Sequence, residues 1–263
     1  MDQILSRLTP HDSTPSGEIG TSANRLLAAL TDSDLARWLP HLERVDLSLG
    51  QVLSEPGSEL AHAYFPVDAI VSLLYVMNDG ESAEIALVGN DGMLGVTLLM
   101  GGNSTTIRAV VQSAGKGYRL PARELVDAVA RGGAVLRLLL LYTQSLLTQM
   151  TQTAACNRHH TLNQQFSRWL LLSFDRLCGA EMVMTQKLIA KMLGVASEEV
   201  SAAATALGAT GAIDYRDGRI SLLDRGVLEQ TSCECYQVVK RECDRLLPPA
   251  PRSNGGPDRL GSA

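Results

Sequence analysis

Between residues 45 and 120, apolar and polar residues alternate in short runs. Val45, Leu47 and Leu49 alternate with polar neighbours, and Gly50 closes the run. A period of two bounded by turn residues predicts β-strands. The same pattern recurs at His62–Phe65, Ala69–Met77, Ser82–Val88, Thr106–Gln112 and Lys116–Leu120. Turn signals separate these runs: Pro56-Gly57, Asn78-Asp79-Gly80, Asn90-Asp91-Gly92, Gly101-Gly102-Asn103 and Gly115. Asn78-Asp79-Gly80 between two apolar alternations predicts a hairpin. Short strands at such spacing imply a sandwich or a roll.

Helical periods flank this region. Asn24–Leu39 reads as a short amphipathic helix, with Thr31 and Asp32 as turn and cap residues. After the strands, Pro121–Ala130 predicts a short helix, and a long one runs from Gly133 to Cys156. In the long helix Leu136, Leu140, Thr143, Leu147, Met150 and Ala154 recur at alternating spacings of four and three, a coiled-coil seam of about three heptads. Leu139, Tyr142 and Leu146 form a second apolar face. Two faces allow one helix to pack on its own domain and on a partner copy. A helix buried in a monomer core is the alternative.

A helix follows at Leu162–Arg176, with a break at Gly179. Residues 184–213 then read MTQKLIAKMLGVASEEVSAAATALGATGAI. Thr185 caps a short helix containing Leu188, Ile189 and Met192. Gly194 supplies a residue able to adopt positive φ in the turn. Val195 packs the corner, and Ser197 is expected to cap a second helix whose inner side is Val200, Ala203, Ala204 and Leu207. Gly208 and Gly211 close it, and Ile213–Ile220 reads as a two-stranded wing with an Asp-Gly turn. Helix, glycine turn, helix and hairpin in that order predict a winged helix-turn-helix.

This segment resembles the DNA-binding motif of the Crp/Fnr regulators. The upstream plan does too, as do the stretches TAACNRHHTLNQQFSRWLL and SCECYQVVKRECDRLL. The resemblance runs over roughly Asn24–Leu247 and implies an α+β chain. Residues 1–22 would be a flexible arm. Residues 23–130 would form an effector-sensing β-roll: a double-stranded β-helix, or jelly roll, of the cyclic-nucleotide-binding kind. Residues 131–156 would be the dimerisation helix, 157–247 the winged helix-turn-helix, and 248–263 a disordered tail. It further implies a homodimer reading paired half-sites.

On that resemblance the DNA-facing positions are Thr185, Gln186 and Lys187, then Ser197, Glu198, Glu199, Ser201, Ala202 and Thr205 of the second helix, with Arg216 and Arg219 of the wing. Only Glu198 falls where the family commonly places its base-reading glutamate. From Ala196 to Thr210 there is no lysine or arginine. Phosphate neutralisation supplies much of the affinity for DNA, so acidic side chains here oppose it. Lys187, Lys191, Arg158, Arg216 and Arg219 are the cations near this face. Two readings therefore stand: ordinary operator binding, or a retained fold that acts through protein contacts, with polymerase or a related subunit as partner.

In the β-roll the resemblance places an effector pocket at Met93, Gly95, Asn103, Ser104 and Arg108. Cyclic-nucleotide members use a glutamate for the ribose and an Arg-Ser pair for the phosphate. Met93 and Asn103 stand at the glutamate and arginine positions, and Ser104 alone is kept. A buried phosphate would lack its charge-assisted partner, which argues against cyclic AMP. No cysteine precedes Cys156, which argues against an iron–sulfur sensor of the family's kind. A haem sensor would need an axial ligand, for which His62 is the candidate.

Composition narrows the picture further. The 263 residues suffice for two domains, and the net charge of −5 argues against a protein that coats nucleic acid non-specifically. Five cysteines, an odd number, with no secretion signal at the start fit a reducing cytoplasm. The most apolar stretch, Ala134–Met150, is interrupted by Arg137, Gln144 and Gln149 and is too short to span a bilayer. Cys233, Cys235 and Cys243 form a candidate thiol cluster that His159 and His160 would join in space; ordinary packing of a C-terminal helix is the plainer reading. Cys156 and Cys178 read as buried small apolar residues. No resident cofactor is expected. His62 is the one histidine between residues 45 and 120, and no Ser-His-Asp arrangement or phosphate-cradling glycine loop occurs, so an enzyme is not expected.

Overall fold

The computed structural model describes residues 20–177 and 179–249. The arm expected at 1–22 lies outside them up to residue 19, the tail expected at 248–263 from residue 250, and Cys178 entirely.

The chain opens with a 3-10 turn, Thr21–Ala23, and two short helices, α1 (Arg25–Ala28) and α2 (Asp32–Trp38). The single helix expected over Asn24–Leu39 is thus broken. Asn24 caps α1 by accepting from the Leu26 and Leu27 amides, and Thr31 caps α2 by accepting from Asp34. Two capping side chains seven residues apart start two helices instead of one.

The roll consists of β1 (Glu43–Leu47), β2 (Val52–Ser54), β3 (His62–Pro66), β4 (Ile70–Val76), β5 (Ser82–Val88), β6 (Arg108–Ser113) and β7 (Gly115–Pro121). One sheet has the order β1-β7-β3 and the other β2-β6-β4-β5, all antiparallel. A short helix, α3 (Val96–Leu99), lies between β5 and β6. Strand β2 has no counterpart in the sequence reading, because three residues are too few to show alternation. The Asn78-Asp79-Gly80 turn joins β4 to β5 as expected, with Gly80 at φ 88°.

Helix α4 (Ala122–Arg131) leads into α5 (Gly133–His159), which runs one turn beyond the expected end. Its Val135, Leu139, Tyr142 and Leu146 join the core of the roll. Gly92 makes room for the Tyr142 ring, whose hydroxyl donates to the Met93 carbonyl at 2.8 Å; a Cβ at residue 92 would sit 2.5 Å from that ring. The opposite face of α5 has no cover among the described residues. Leu140 and Leu147 are each 54% exposed, and Leu136, Thr143 and Met150 are half-buried. Gln149 uses both ends of its amide on the edge strand β5, accepting from the Leu87 amide and donating to the Leu87 carbonyl.

The C-terminal unit comprises α6 (Leu162–Phe174), β8 (Glu181–Val183), α7 (Gln186–Leu193), α8 (Ser197–Ala209), β9 (Ile213–Arg216), β10 (Arg219–Leu222), α9 (Arg225–Thr231) and α10 (Glu234–Leu246). Its own core includes Phe166, Trp169, Ile189, Val200, Leu207 and Ile220, and it also takes in Ile70 and Leu87 from the outer face of the roll. The two units are therefore docked. A bulge in β5 helps: Leu73 pairs with Ala86 and Leu74 with Glu84, so one extra residue shifts the alternation. The shift turns Glu84 outward, where its Oε1 accepts from Trp169 Nε1 at 2.9 Å. Arg176, just past α6, reaches Asp91 of the roll at 2.7 Å with both side chains largely buried.

Candidate nucleic-acid interface and effector cavity

Thr185 accepts from the Leu188 amide and starts α7. Gly194 ends it in the left-handed region at φ 69°, and the chain turns into α8. Ser197 is the first residue of α8 but not its cap. Ala196 holds the cap position, and the Glu199 carboxylate accepts the Ala196 amide at 3.0 Å. The expected serine cap is thus replaced by the reciprocal half of a capping box, in which a glutamate at the third helical position reaches back. Val200, Ala203, Ala204 and Leu207 are buried as the pattern requires. Glu198, Ala202 and Thr205 are exposed and Ser201 half-buried on the open side. Gln186 Nε2 reaches Ser201 Oγ at 3.5 Å, where α7 crosses α8.

The wing is β9 and β10 joined by Asp217-Gly218, both with positive φ (51° and 75°), the arrangement of a tight hairpin turn. A third strand, β8, completes the order β8-β10-β9. Thr185, Gln186, Lys187, Tyr215, Asp217 and Gly218 together line a surface cleft between the start of α7 and the wing.

The charges on this face differ in availability. Arg216 pairs with Asp214 at 2.9 Å, and Arg219 lies 3.9 Å from Glu181. Lys187, Lys191 and Arg158 are exposed without an ion-pair partner among the described residues. Of the two acids that open α8, Glu199 is engaged on the backbone, and Glu198 projects freely.

The second site lies between the roll and α5. A cavity of about 190 Å³ is lined by the roll residues Leu60, Leu73, Met93, Leu94 and Ile107, among others, and by Thr143, Leu146, Leu147 and Met150 of α5. Of the five residues expected at an effector pocket, Met93 and Gly95 line this cavity and Asn103, Ser104 and Arg108 do not. Arg108 instead pairs with Glu55 at 2.7 Å, and the backbone of Ser104 bridges to Glu59. None of the lining residues is charged. Thr97 Oγ1 is buried there without a hydrogen-bond partner. Thr143, Leu147 and Met150 belong to both the cavity and the exposed seam of α5, an overlap the sequence does not reveal. His62 is elsewhere, beside Tyr64 on β3, where burial and then Arg119 depress its basicity.

Residues 164–231 match the family described as the Crp-like helix-turn-helix domain. The C-terminal unit is a Crp-like helix-turn-helix domain. Solved structures extend the likeness to the whole architecture. FixK2 from Bradyrhizobium japonicum superposes with a TM-score of 0.60 at 18% identity, covering 73% of this chain and 98% of that one. The c-di-GMP-responsive global regulator CLP of Xanthomonas campestris gives 0.57 at 14% identity, covering 74% and 100%. A Crp-family transcriptional regulator from Thermus thermophilus gives 0.55 at 20% identity, covering 72% and 96%. No curated protein matches the chain in sequence.

The chain therefore has the Crp/Fnr transcriptional-regulator fold, with an N-terminal cyclic-nucleotide-binding-like roll and a C-terminal helix-turn-helix. Several of the proteins that share it are described as transcriptional regulators. Among the described residues no helix is long and apolar enough to cross a membrane.

Proposed function

We propose that this Crp/Fnr-type chain is a cytoplasmic homodimeric regulator that binds operator DNA and has no catalytic activity of its own. The carrying observation is the exposed leucine face of α5, which shares Thr143, Leu147 and Met150 with the wall of a partly open cavity. A second copy packed on that face would also close the cavity. Occupancy of the cavity would then bias how the two stems meet, and with them the two helix-turn-helix units.

The effector we propose is small, uncharged and largely apolar, with one polar group for Thr97 Oγ1. A wall with no cation is a poor host for a phosphate, which weighs against cyclic AMP and other nucleotides. On DNA, the α7 N-terminus with Thr185 and Lys187 would hold phosphate, and α8 would enter the major groove with Glu198, Ser201 and Thr205 toward base edges. A glutamate there accepts from a cytosine amino group.

The test is genome-wide recovery of bound DNA, followed by polarisation titrations of the recovered sites over a range of salt. A shared motif with two half-sites and an affinity that falls with salt is expected. Absence of binding at low salt would favour a second reading, in which the free Glu198 and a cation-less α8 mark a protein-contact module.

A further inference from the structure

The thiol groups at the foot of the stem take no part in the function proposed above. Cys156 lies in the last turn of α5, and His160 follows it by four residues, on the same face. Cys233 is the cap residue of α10, and Cys235 lies in its first turn. The four donor atoms all lie within 4.8 Å of one another. Cys156 Sγ and Cys233 Sγ are 3.5 Å apart, and Cys235 Sγ is 3.6 Å from His160 Nδ1. The three cysteines are buried, as a small cluster of their own.

We propose that Cys156, His160, Cys233 and Cys235 form a zinc site that ties the end of the stem helix to the C-terminal helix of the winged unit. Three thiolates and one imidazole are a donor set that zinc takes in closed, four-coordinate sites. Bonds of about 2.3 Å to sulfur and about 2.0 Å to nitrogen at tetrahedral angles put neighbouring sulfurs about 3.8 Å apart, and sulfur and nitrogen about 3.5 Å apart. The two separations above lie close to those values, and the remaining donor pairs, all within 4.8 Å, need draw in by no more than about 1 Å.

The surroundings fit as well. The other ring nitrogen of His160, Nε2, lies 3.3 Å from Glu234 Oε2, the carboxylate–histidine arrangement that fixes a ligand's orientation. Arg168 of α6 is buried; its Nη1 donates to Thr153, while its Nε has no partner. Three thiolates and a dication carry one net negative charge, which this guanidinium would balance. Cys243, which the sequence grouped with Cys233 and Cys235, is not in the cluster. It lies two turns further along α10 against Arg25, and Cys156 takes its place. On zinc binding the thiols lose their protons to solvent and no electron moves.

The test is elemental analysis of the full chain, purified in reducing, chelator-free buffer, alongside Cys235→Ser, His160→Cys and Cys243→Ser variants. About one zinc per chain is expected in the parent, His160→Cys and Cys243→Ser proteins, and none in Cys235→Ser. Replacement by cobalt should give the intense visible bands of a tetrahedral thiolate site, altered in His160→Cys as sulfur replaces nitrogen. A folded parent with reduced thiols and no zinc would overturn the proposal. So would a Cys156–Cys233 disulfide in that parent, or zinc retained equally by Cys235→Ser.

Discussion

Glu84 is the side chain most exposed to a test by substitution. It sits on β5 at the contact between roll and winged unit, fully enclosed, and Trp169 Nε1 donates to its Oε1. Its Oε2 has no partner; the Ser72 hydroxyl nearby gives its proton to Gln112. Burial pushes this carboxyl up to about 7, with Ser72, Arg168, Trp169 and Arg176 only partly offsetting it. Relative to an ordinary value of 4.5, that corresponds to about 3 kcal/mol of preference for the neutral form, an upper bound. The folded chain then holds more protons than the unfolded one between 4.5 and about 7. Stability from this group is therefore full below that window, falls as pH rises through it, and stays low above it. Glu84→Gln keeps the shape and removes the titration. Its amide nitrogen can donate to Ser72. Urea unfolding followed by circular dichroism should find the variant close to the parent near pH 5 and more stable by up to about 3 kcal/mol near pH 8. Parallel pH profiles for the two proteins would refute the reasoning.

Other expectations concern the stem, the docking contact and the DNA face. Leu140→Lys with Leu147→Lys should dissociate the proposed dimer. Each leucine is 54% exposed, so covering it contributes about half of the roughly 1.5–3 kcal/mol of full burial, and four are lost across the pair, so sedimentation should show at least a roughly hundredfold weaker association. Arg176→Met leaves Asp91 buried without its cation and should lower unfolding free energy by about 3–5 kcal/mol. Adding Asp91→Leu should recover much of that loss, and a single-variant loss under about 1 kcal/mol would contradict the assignment. Glu198→Arg should weaken binding to the recovered operator sites by about 1–3 kcal/mol and relax specificity at one base pair, as read by polarisation titrations on single-base variants of the site. Unchanged affinity and base preference would place Glu198 away from the base edges.

Much of this protein could be read from its residues in order. Period-two runs located six of the seven roll strands, because each is long enough to alternate. The heptad spacing of α5 distinguished a face that the chain buries, with Leu139 and Tyr142, from one that it leaves open, with Leu140 and Leu147. Gly194 and the Asp217-Gly218 turn marked the helix-turn-helix and its wing through backbone requirements that few residues meet.

Tertiary structure decided what depends on contacts between segments far apart in sequence. The β5 bulge moved Glu84 onto the winged unit, and strict alternation would have placed it with Ala86 and Val88. The cap of α8 went to Ala196, through a glutamate that reached back. Cys156 and His160 met Cys233 and Cys235 across some seventy-five residues, whereas Cys243, nearer in sequence, turned to Arg25. Periodicity and turn chemistry are local properties and survive in a string of letters. Which donors converge, and which carboxylate loses its water, are set by how helices and sheets pack.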